Sequence, residues 1–517
     1  ACSDCVLLRG IFKLGKKSHD VLLTRSRLVW TPIIPETPTG DNAHIRIHKT
    51  VLVSSQDVFA VKVKRRRAAG QQTGGAFLGL ALFYCRRTGR RLEEDTLHLH
   101  NSSSEHTHRW YSTLKEQLQE FSSRPRCLKV FINPCSHKKE AVHIYREHVA
   151  PLFRMADIRT DITVTERKGH ALSVMKECKL DEYDGGGQSE PGCSGEDLVQ
   201  AYFCQLGWLS PWVVCVGGDG SVAEMCHAMV LRAQLDADSP EKPVKTVLPL
   251  GIIPAAGAIH IVFMGFGITH TAAMHIVLGH LQRVDMCSFS SFGQLVRFGF
   301  SAMFGFGAQS LARAEKKRWM PSPRRREYAL VKTLARLRPE DCQISFLPAN
   351  KSSRNLSERQ VLAEGAESWT TNQGLYLSIS VMSMPCLSPV VPHGLAPNTR
   401  LANGSASLIA VGNTSRSEFI KHLKRYSSSG GQFNFPFVET HDVSAVKIQL
   451  QSLASWPEEE SEEEESKTSP IIQSEASTFL WNIDGELVEM ANEVLISRVH
   501  PSLISLYGEE KEEFMAK

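Results

Sequence analysis

Val213-Val214-Cys215-Val216 is an apolar run of strand length that ends in Gly217-Gly218-Asp219-Gly220. Glycines without a Cβ let the backbone approach a phosphate closely and adopt positive φ. Helical periodicity begins at Ser221 and continues to Gln234. The first N–H groups of such a helix favour an anion. Asp219 then stands as a carboxylate beside a phosphate site. It can accept a proton from an attacking hydroxyl or help to organise Mg²⁺. A tight Gly-Asp-Gly turn without any chemistry has the same composition. The loop is neither the G-x-x-x-x-G-K-[ST] phosphate loop nor the dinucleotide G-x-G-x-x-G. Gly305-Phe306-Gly307 holds part of the second spacing, but in strand-like text, and reads as close backbone packing.

A loop of this kind needs a sheet to deliver it. Cys127 to Ile132 is a short strand ending in Asn133-Pro134, and His137 to Met155 follows at helical spacing. Thr160 to Thr165 reads as a strand, Gly169 to Cys178 as a helix and Leu250 to Ile253 as another strand. Repeated β-loop-α units predict a parallel sheet with helices on both faces. Ligands of such sheets sit at the carboxyl ends of the strands.

The flanking regions differ. Ala43 to His48 and Phe59 to Lys64 alternate apolar and polar residues, and Leu80 to Tyr84 and Thr96 to His100 are further strand candidates. Trp110, Leu114, Leu118 and Phe121 then fall on one helical face. Beyond residue 285 the text is β-rich. Strands are expected at Phe298 to Gly307, Cys342 to Leu347, Gly374 to Met382, Ser407 to Val411 and Phe433 to Glu439. Others are expected near Trp481 and at Val494 to Val499. Residues 451–478 include seven Glu in eight positions around Ser461, which repel one another and read as a disordered acidic loop.

Composition sets the outer bounds. The chain has 517 residues, of which 42% are hydrophobic and 22% charged, so it is neither wholly disordered nor collagenous. The length suggests about three domains. Thirteen scattered cysteines do not form a disulfide framework, and Cys2 and Cys5 have no second C-x-x-C pair to complete a zinc site. Leu248 to Ile268 is long enough to span a bilayer. Prolines and glycines punctuate it, so it reads as buried strand, loop and buried segment, with no transmembrane span.

Two resemblances organise these pieces. The strands and Trp-bearing helix of residues 20–122 resemble a pleckstrin-homology domain. Phe131-Ile132-Asn133-Pro134, Thr165-Glu166, Gly217 to Gly220 with Glu224, Gly251-Ile252-Ile253-Pro254-Ala255 and Asp484-Gly485-Glu486 are similar to the ordered motifs of the diacylglycerol, sphingosine and ceramide lipid kinases. Val149 to Phe153, Ile158 to Ile162 and Glu315-Lys316-Lys317-Arg318-Trp319 resemble the ceramide kinase branch. Gly394 to Arg400 and Phe419 to Tyr426 narrow the likeness within it. The resemblance implies a multidomain α/β plus β architecture. A pleckstrin-homology-like domain precedes an α/β nucleotide-binding lobe over 124–288 and a β-sandwich lobe over 289–510.

It also implies ATP and Mg²⁺ in the cleft, with a sphingolipid as acceptor. By motif, Asn133, Pro134, Thr165, Glu166 and Glu224 would line the nucleotide. Gly217, Gly218, Asp219 and Gly220 would meet the lipid headgroup and phosphate, with Asp219 as proton acceptor. Asp484, Gly485 and Glu486 would reach across from the second lobe to the nucleotide, and Asp484 and Glu486 to the metal. The arrangement suits phosphoryl transfer, where positioning and charge neutralisation do most of the work.

Four departures weaken that pattern. Cys135-Ser136-His137-Lys138-Lys139 replaces the small residues that wrap phosphate. Pro254 to Ile259 lacks the family's hydroxyls. Gln309 stands where the branch has an acceptor-holding Asp, and an amide lacks that charge. Residues 186–212 form an apparent insertion. Each lost charge-assisted hydrogen bond is worth roughly 1.5–3 kcal/mol. Two such losses in the transition state slow the reaction by about 10²–10⁴. A weak kinase or a pseudokinase fits this erosion.

Lys62, Lys64, Arg65, Arg66 and Arg67 form a basic run suited to a phosphoinositide headgroup. A nuclear localisation signal and a solvated loop share that composition. No aromatic-interleaved basic stripe points to nucleic acid. A cytoplasmic, peripherally membrane-associated protein with a nuclear pool is the corresponding expectation.

Overall fold

A computed structural model describes residues 5–33, 50–67, 69–70, 74–89, 91–136, 139–177, 212–255, 269–349, 368–387, 391–427, 431–450, 479–490 and 494–509. Ala43 to His48, most of the 186–212 insertion, residues 256–268 and the acidic segment 451–478 lie outside them.

The first sheet has seven antiparallel strands: β1 (Val6–Leu14), β2 (Lys17–Thr24), β3 (Arg27–Pro32), β4 (Val51–Ser54), β5 (Val58–Arg66), β6 (Ala76–Thr88) and β7 (Arg91–His100). Their order is β4-β3-β2-β1-β7-β6-β5. The central strand β1 thus precedes the boundary expected at residue 20. Helix α1 (Ser104–Gln119) closes the sheet, with Ser103 capping its start through a bond from the His106 N–H at 3.2 Å. Trp110 is buried on α1 and meets Phe12 edge-on at 5.0 Å, as the 3.6-residue spacing predicts.

The second sheet is continuous through the rest of the chain. Its first part is parallel, in the order β9 (Arg159–Val164), β8 (Cys127–Ile132), β10 (Trp212–Gly217) and β11 (Leu250–Pro254). The helical run after β8 has three pieces: α2 (Ala141–Ile144), a π-turn at Tyr145–Val149, and α3 (Ala150–Met155). Pro151 has no N–H to continue the ladder, which accounts for the wider turn ahead of it. Helices α4 (His170–Glu177), α5 (Asp219–Asp236) and α6 (Thr269–Leu278) complete this part.

The remainder is β-rich and antiparallel. It comprises β12 (Leu281–Ser291), β13 (Gln294–Gly299), β14 (Ser301–Gly305), β15 (Glu340–Pro348), β16 (Thr370–Met382), β17 (Ala406–Gly412), β18 (Val438–Leu450), β19 (Phe479–Ile483), β20 (Glu486–Met490) and β21 (Val494–Tyr507). Two long strands change partners midway. β16 leaves β15 for β17 at Tyr376, and β18 leaves β17 for β15 at Val443. Such switching lets one strand serve two layers. β21 joins the two parts, pairing with β12 and β18 and, in parallel, with β11 at Leu250.

Two expected strands end differently. The strand expected at Phe298 to Gly307 is divided between β13 and β14 at Phe300 and stops at Gly305, where φ 70 and ψ −124 suit only glycine, and α7 (Phe306–Lys316) begins. Gln309 is therefore helical, not the end of a strand. The strand expected from Phe433 starts instead at Val438, because Pro436 cannot donate to a ladder. Helix α8 (Ser322–Ala335) follows α7, and α9 (Arg416–Ser427) follows β17.

The first sheet packs onto the parallel part. Phe59, Ala60, Cys85 and Leu92 share a core with Leu128, Tyr145, Phe153 and Met274. The Leu92 N–H donates to Thr271 Oγ1 at 3.2 Å, and His270 pairs with Glu94 at 2.5 Å. Among the described residues no helix is long and apolar enough to cross a membrane.

Candidate functional site

The parallel register aligns the strand ends. Ile132 is level with Val216 and with Val164, and Gly217 with Pro254. Asn133, Thr165-Glu166, Gly218-Asp219-Gly220 and Ala255 therefore leave the sheet along one edge. A cavity of about 420 Å³ opens there. It is lined by Asn133, Thr165, Glu166, Gly218, Asp219, Gly220 and Glu224, and by Glu486 from the β-rich part. Pro134, Gly217, Asp484, Gly485 and Gln309 are not among its lining residues.

Helix α5 starts two residues earlier than its periodicity suggests. Gly218 is its cap, with φ −110 and ψ −171, and Asp219 is its first residue. The Val222 N–H closes the first turn on the Gly218 carbonyl at 3.1 Å. The first N–H groups of a helix have no carbonyl one turn back within it, which here applies to Gly220 and Ser221. Asn133 ties this turn to the end of β8. Its Nδ2 donates to Ser221 Oγ at 2.8 Å, and its Oδ1 accepts from the Cys135 N–H at 3.0 Å. Gly217 permits the approach, since a Cβ there would lie 2.8 Å from Ser221 Oγ.

Charges of both signs meet in the cavity. Arg167, Lys168 and Arg318 line it together with Glu166, Asp219, Glu224 and Glu486. Glu486 pairs with Arg297 and, at 3.5 Å, with Lys168. A Cβ on Gly220 would lie 3.6 Å from Glu486 Oε1, so the β-rich part reaches over the glycine loop. Behind it, burial and then Arg297 push the His227 imidazole down to about 4. Neutral His227 Nδ1 accepts from the Phe298 N–H at 3.2 Å.

Arg318, Arg167 and Lys168 were not singled out as site residues from sequence. Arg167 and Lys168 directly follow Thr165-Glu166, and Arg318 belongs to the Glu315 to Trp319 string. Their adjacency to motif residues was the available signal.

Asp484 has another occupation. With Gly485 it forms the two-residue turn between β19 and β20, at φ 51 and φ 79. Positive φ at both positions matches the type I′ hairpin that Asp-Gly favours. Its side chain is 1% exposed. It accepts from the Ser301 N–H at 2.8 Å, the Phe300 N–H at 3.0 Å and Ser301 Oγ at 3.1 Å. Burial pushes its carboxyl up to about 6, against the opposing pull of these donors and Arg297. A buried carboxylate with these bonds, beside a Glu486 already paired with Arg297, does not fit a shared Mg²⁺ site. Gln309 is 7% exposed on α7.

The basic run is divided as well. Lys62 and Lys115 both pair with Asp157, across the junction with the parallel part. Arg65 lies over the Phe77 ring at 4.2 Å and donates to the Gly75 carbonyl at 3.4 Å. Arg66 and Arg67 are exposed at the end of β5, while Lys64 is half-buried. Lys62 is thus committed to a junction within the chain.

A parallel sheet is joined to an antiparallel lobe, with a glycine-Asp loop between them, an arrangement in keeping with the family that the sequence matches. The sequence matches the diacylglycerol kinase catalytic domain over residues 127–186 and 196–289. It matches the ceramide kinase C-terminal domain over residues 300–516. The chain belongs to this lipid kinase family. It is 47% identical to human ceramide kinase-like protein, covering 100% of this chain and 93% of the relative. It is 30% identical to mouse ceramide kinase, covering 78% of each. A solved diacylglycerol kinase from Bacillus anthracis str. Sterne superposes with TM-score 0.43 at 11% identity, covering 74% of this chain and 97% of that one.

Proposed function

We propose that the cavity holds ATP and that the chain transfers its γ-phosphate slowly to the primary hydroxyl of ceramide or a related sphingolipid. One observation carries this reading: Asp219 opens α5 in a cavity where Glu486 reaches the same glycine loop from the other lobe. The volume is that of an ordinary small-molecule site. Arg167, Lys168 and Arg318 place positive charge at the cavity, with Lys168 paired to Glu486 and Arg318 to Glu315, pairs that a triphosphate would have to exchange, and helix starts favour anions. Asn133, Thr165 and Glu166 border the nucleotide, and Asp219 takes the acceptor's proton. The family implies a divalent ion, which would neutralise phosphate charge. Asp484 is spent on the Phe300 and Ser301 donors and would not hold that ion. Full-length protein incubated with labelled ATP, Mg²⁺ and a lipid panel should label ceramides above diacylglycerols. A panel without any labelled lipid would sink the reading.

Arg318 tests the phosphate-facing side. Arg318→Ala is expected to weaken ATP binding about 10-fold, the worth of one charge-assisted hydrogen bond. Titration calorimetry reads this directly, and an unchanged Kd would remove Arg318 from the site.

A second reading is a sphingolipid-binding regulator without phosphoryl transfer. It is favoured by the occupation of Asp484 and the neutralisation of Glu486. Recruitment from the cytoplasm to anionic membranes would then use the first sheet, whose seven antiparallel strands and closing helix support the pleckstrin-homology-like reading. Arg66 and Arg67 are its exposed cations. Liposome flotation with phosphoinositides should weaken when both are replaced by Ala, whereas unchanged flotation would argue against this surface.

A further inference from the structure

Away from the cavity, the first sheet, α6 and the end of β21 converge on a second polar cluster. Helix α6 ends with Gly279 at φ 73. The His280 N–H returns to the His275 carbonyl at 3.1 Å, and the Gly279 N–H to the Ile276 carbonyl at 3.1 Å. These two bonds are the Schellman pattern. The positions that usually make an apolar contact across that turn are here His275 and His280. Their Nδ1 atoms lie 2.9 Å apart. A Cβ on Gly279 would collide with the Ser123 carbonyl, so the turn is held closely by its surroundings.

The third member arrives from the far end of the chain. The Gly508 N–H donates to the His280 carbonyl at 2.9 Å, which fixes the backbone next to Glu509. Glu509 Oε1 lies 3.2 Å from His280 Nδ1, while Oε2 accepts from Arg87 of β6 at 2.6 Å. One donor atom from each of His275, His280 and Glu509 lies within 4.8 Å of the others. His275 is buried, and the other two are half-buried.

We propose that His275, His280 and Glu509 form a structural site for a zinc-class divalent ion, which pins α6 and the end of β21 to the first sheet. Two imidazoles and a carboxylate are the donor set that such ions select over Ca²⁺ and Mg²⁺. A tetrahedral ion at about 2.0–2.1 Å from its ligands needs them roughly 3.3 Å apart. The 2.9 and 3.2 Å separations are close to that edge. Arg87 plays the outer-shell part by holding the second oxygen of the ligating carboxylate. Asp57 and Glu509 face Arg87 and Arg124 around His280, so the ion's own charge would be offset only by the ligands and solvent that complete its shell. Arg124 is itself turned to the Val58 carbonyl at 2.6 Å. Water or a neighbouring carboxylate would complete the coordination.

The competing account is a plain imidazole–imidazole hydrogen bond, and metal content separates the two. Full-length protein is stripped with EDTA, loaded with ZnCl₂ and dialysed, and its zinc is measured beside a circular dichroism spectrum. One retained equivalent is expected. His280→Gln and Glu509→Gln should lose it, and Cys5→Ser should keep it. Zinc should also raise the Tm of the unaltered chain but not of His280→Gln. Co²⁺ loaded into the unaltered chain should give visible bands without a thiolate charge-transfer band, a readout independent of whether the variants fold. No retained zinc, full retention in folded His280→Gln, or a thiolate band would each overturn the proposal.

Discussion

The stability difference between the unaltered chain and Asp484→Asn is expected to change by about 2 kcal/mol between pH 4 and pH 6, favouring the unaltered chain at the acidic end. Burial raises the Asp484 carboxyl from 3.8 to about 6 in the folded chain. Between those values the unfolded chain has lost its proton and the folded chain has kept it. Folding therefore binds a proton, and stability falls as pH rises through the window. Below the unfolded value the contribution is fully present, and above about 6 it is gone. Asparagine cannot titrate and lacks this dependence. The usual surface carboxylates act in the opposite direction, but they are common to both chains and cancel. Denaturant midpoints of the two proteins, measured at half-unit pH steps, give the difference curve. Parallel midpoints would mean that Asp484 is ionised throughout and that its three donors outweigh its burial.

Asp219→Asn is expected to lower lipid phosphorylation by about 10²–10⁴, the usual worth of a positioned proton acceptor. The side-chain shape is kept, so the loop has no steric reason to move. Losing a negative charge at the first residue of α5 costs only about 0.3–1 kcal/mol of helix stability. ATP binding is expected to stay within a few-fold, because the cations of the cavity are untouched. The loss should therefore fall on kcat and not on KM for ATP. An equal rise in KM would make Asp219 a nucleotide-binding group instead.

Much of this arrangement was legible in local pattern. Alternation in Phe59 to Lys64 marked β5, and the spacing of Trp110 and Leu114 marked α1. The apolar run before Gly217 marked the strand that delivers Asp219 to the cavity. Parallel register then gathers Asn133, Thr165, Glu166 and Gly218 to Gly220 with no further information, because strands that start level end level. The misreadings have non-local causes. Gly305 ends a strand by adopting a backbone conformation that periodicity does not report. Asp484-Gly485 carries an ordinary hairpin signal, yet the likeness to lipid kinases drew attention to its charge and not to its turn. The junction role of Lys62 depends on Asp157, 95 residues away. Arg318 enters the cavity from the turn after α7, a placement set by packing of the two lobes and not by spacing.

The most direct measurement is transfer of labelled γ-phosphate from ATP to ceramide by the full chain, run beside Asp219→Asn at saturating ATP. Slow but measurable ceramide phosphate from the unaltered chain, lost in Asp219→Asn while ATP binding persists, is the predicted result. Equal labelling by both proteins, or ATP binding with no transfer by either, would contradict the claim that this cavity catalyses phosphoryl transfer.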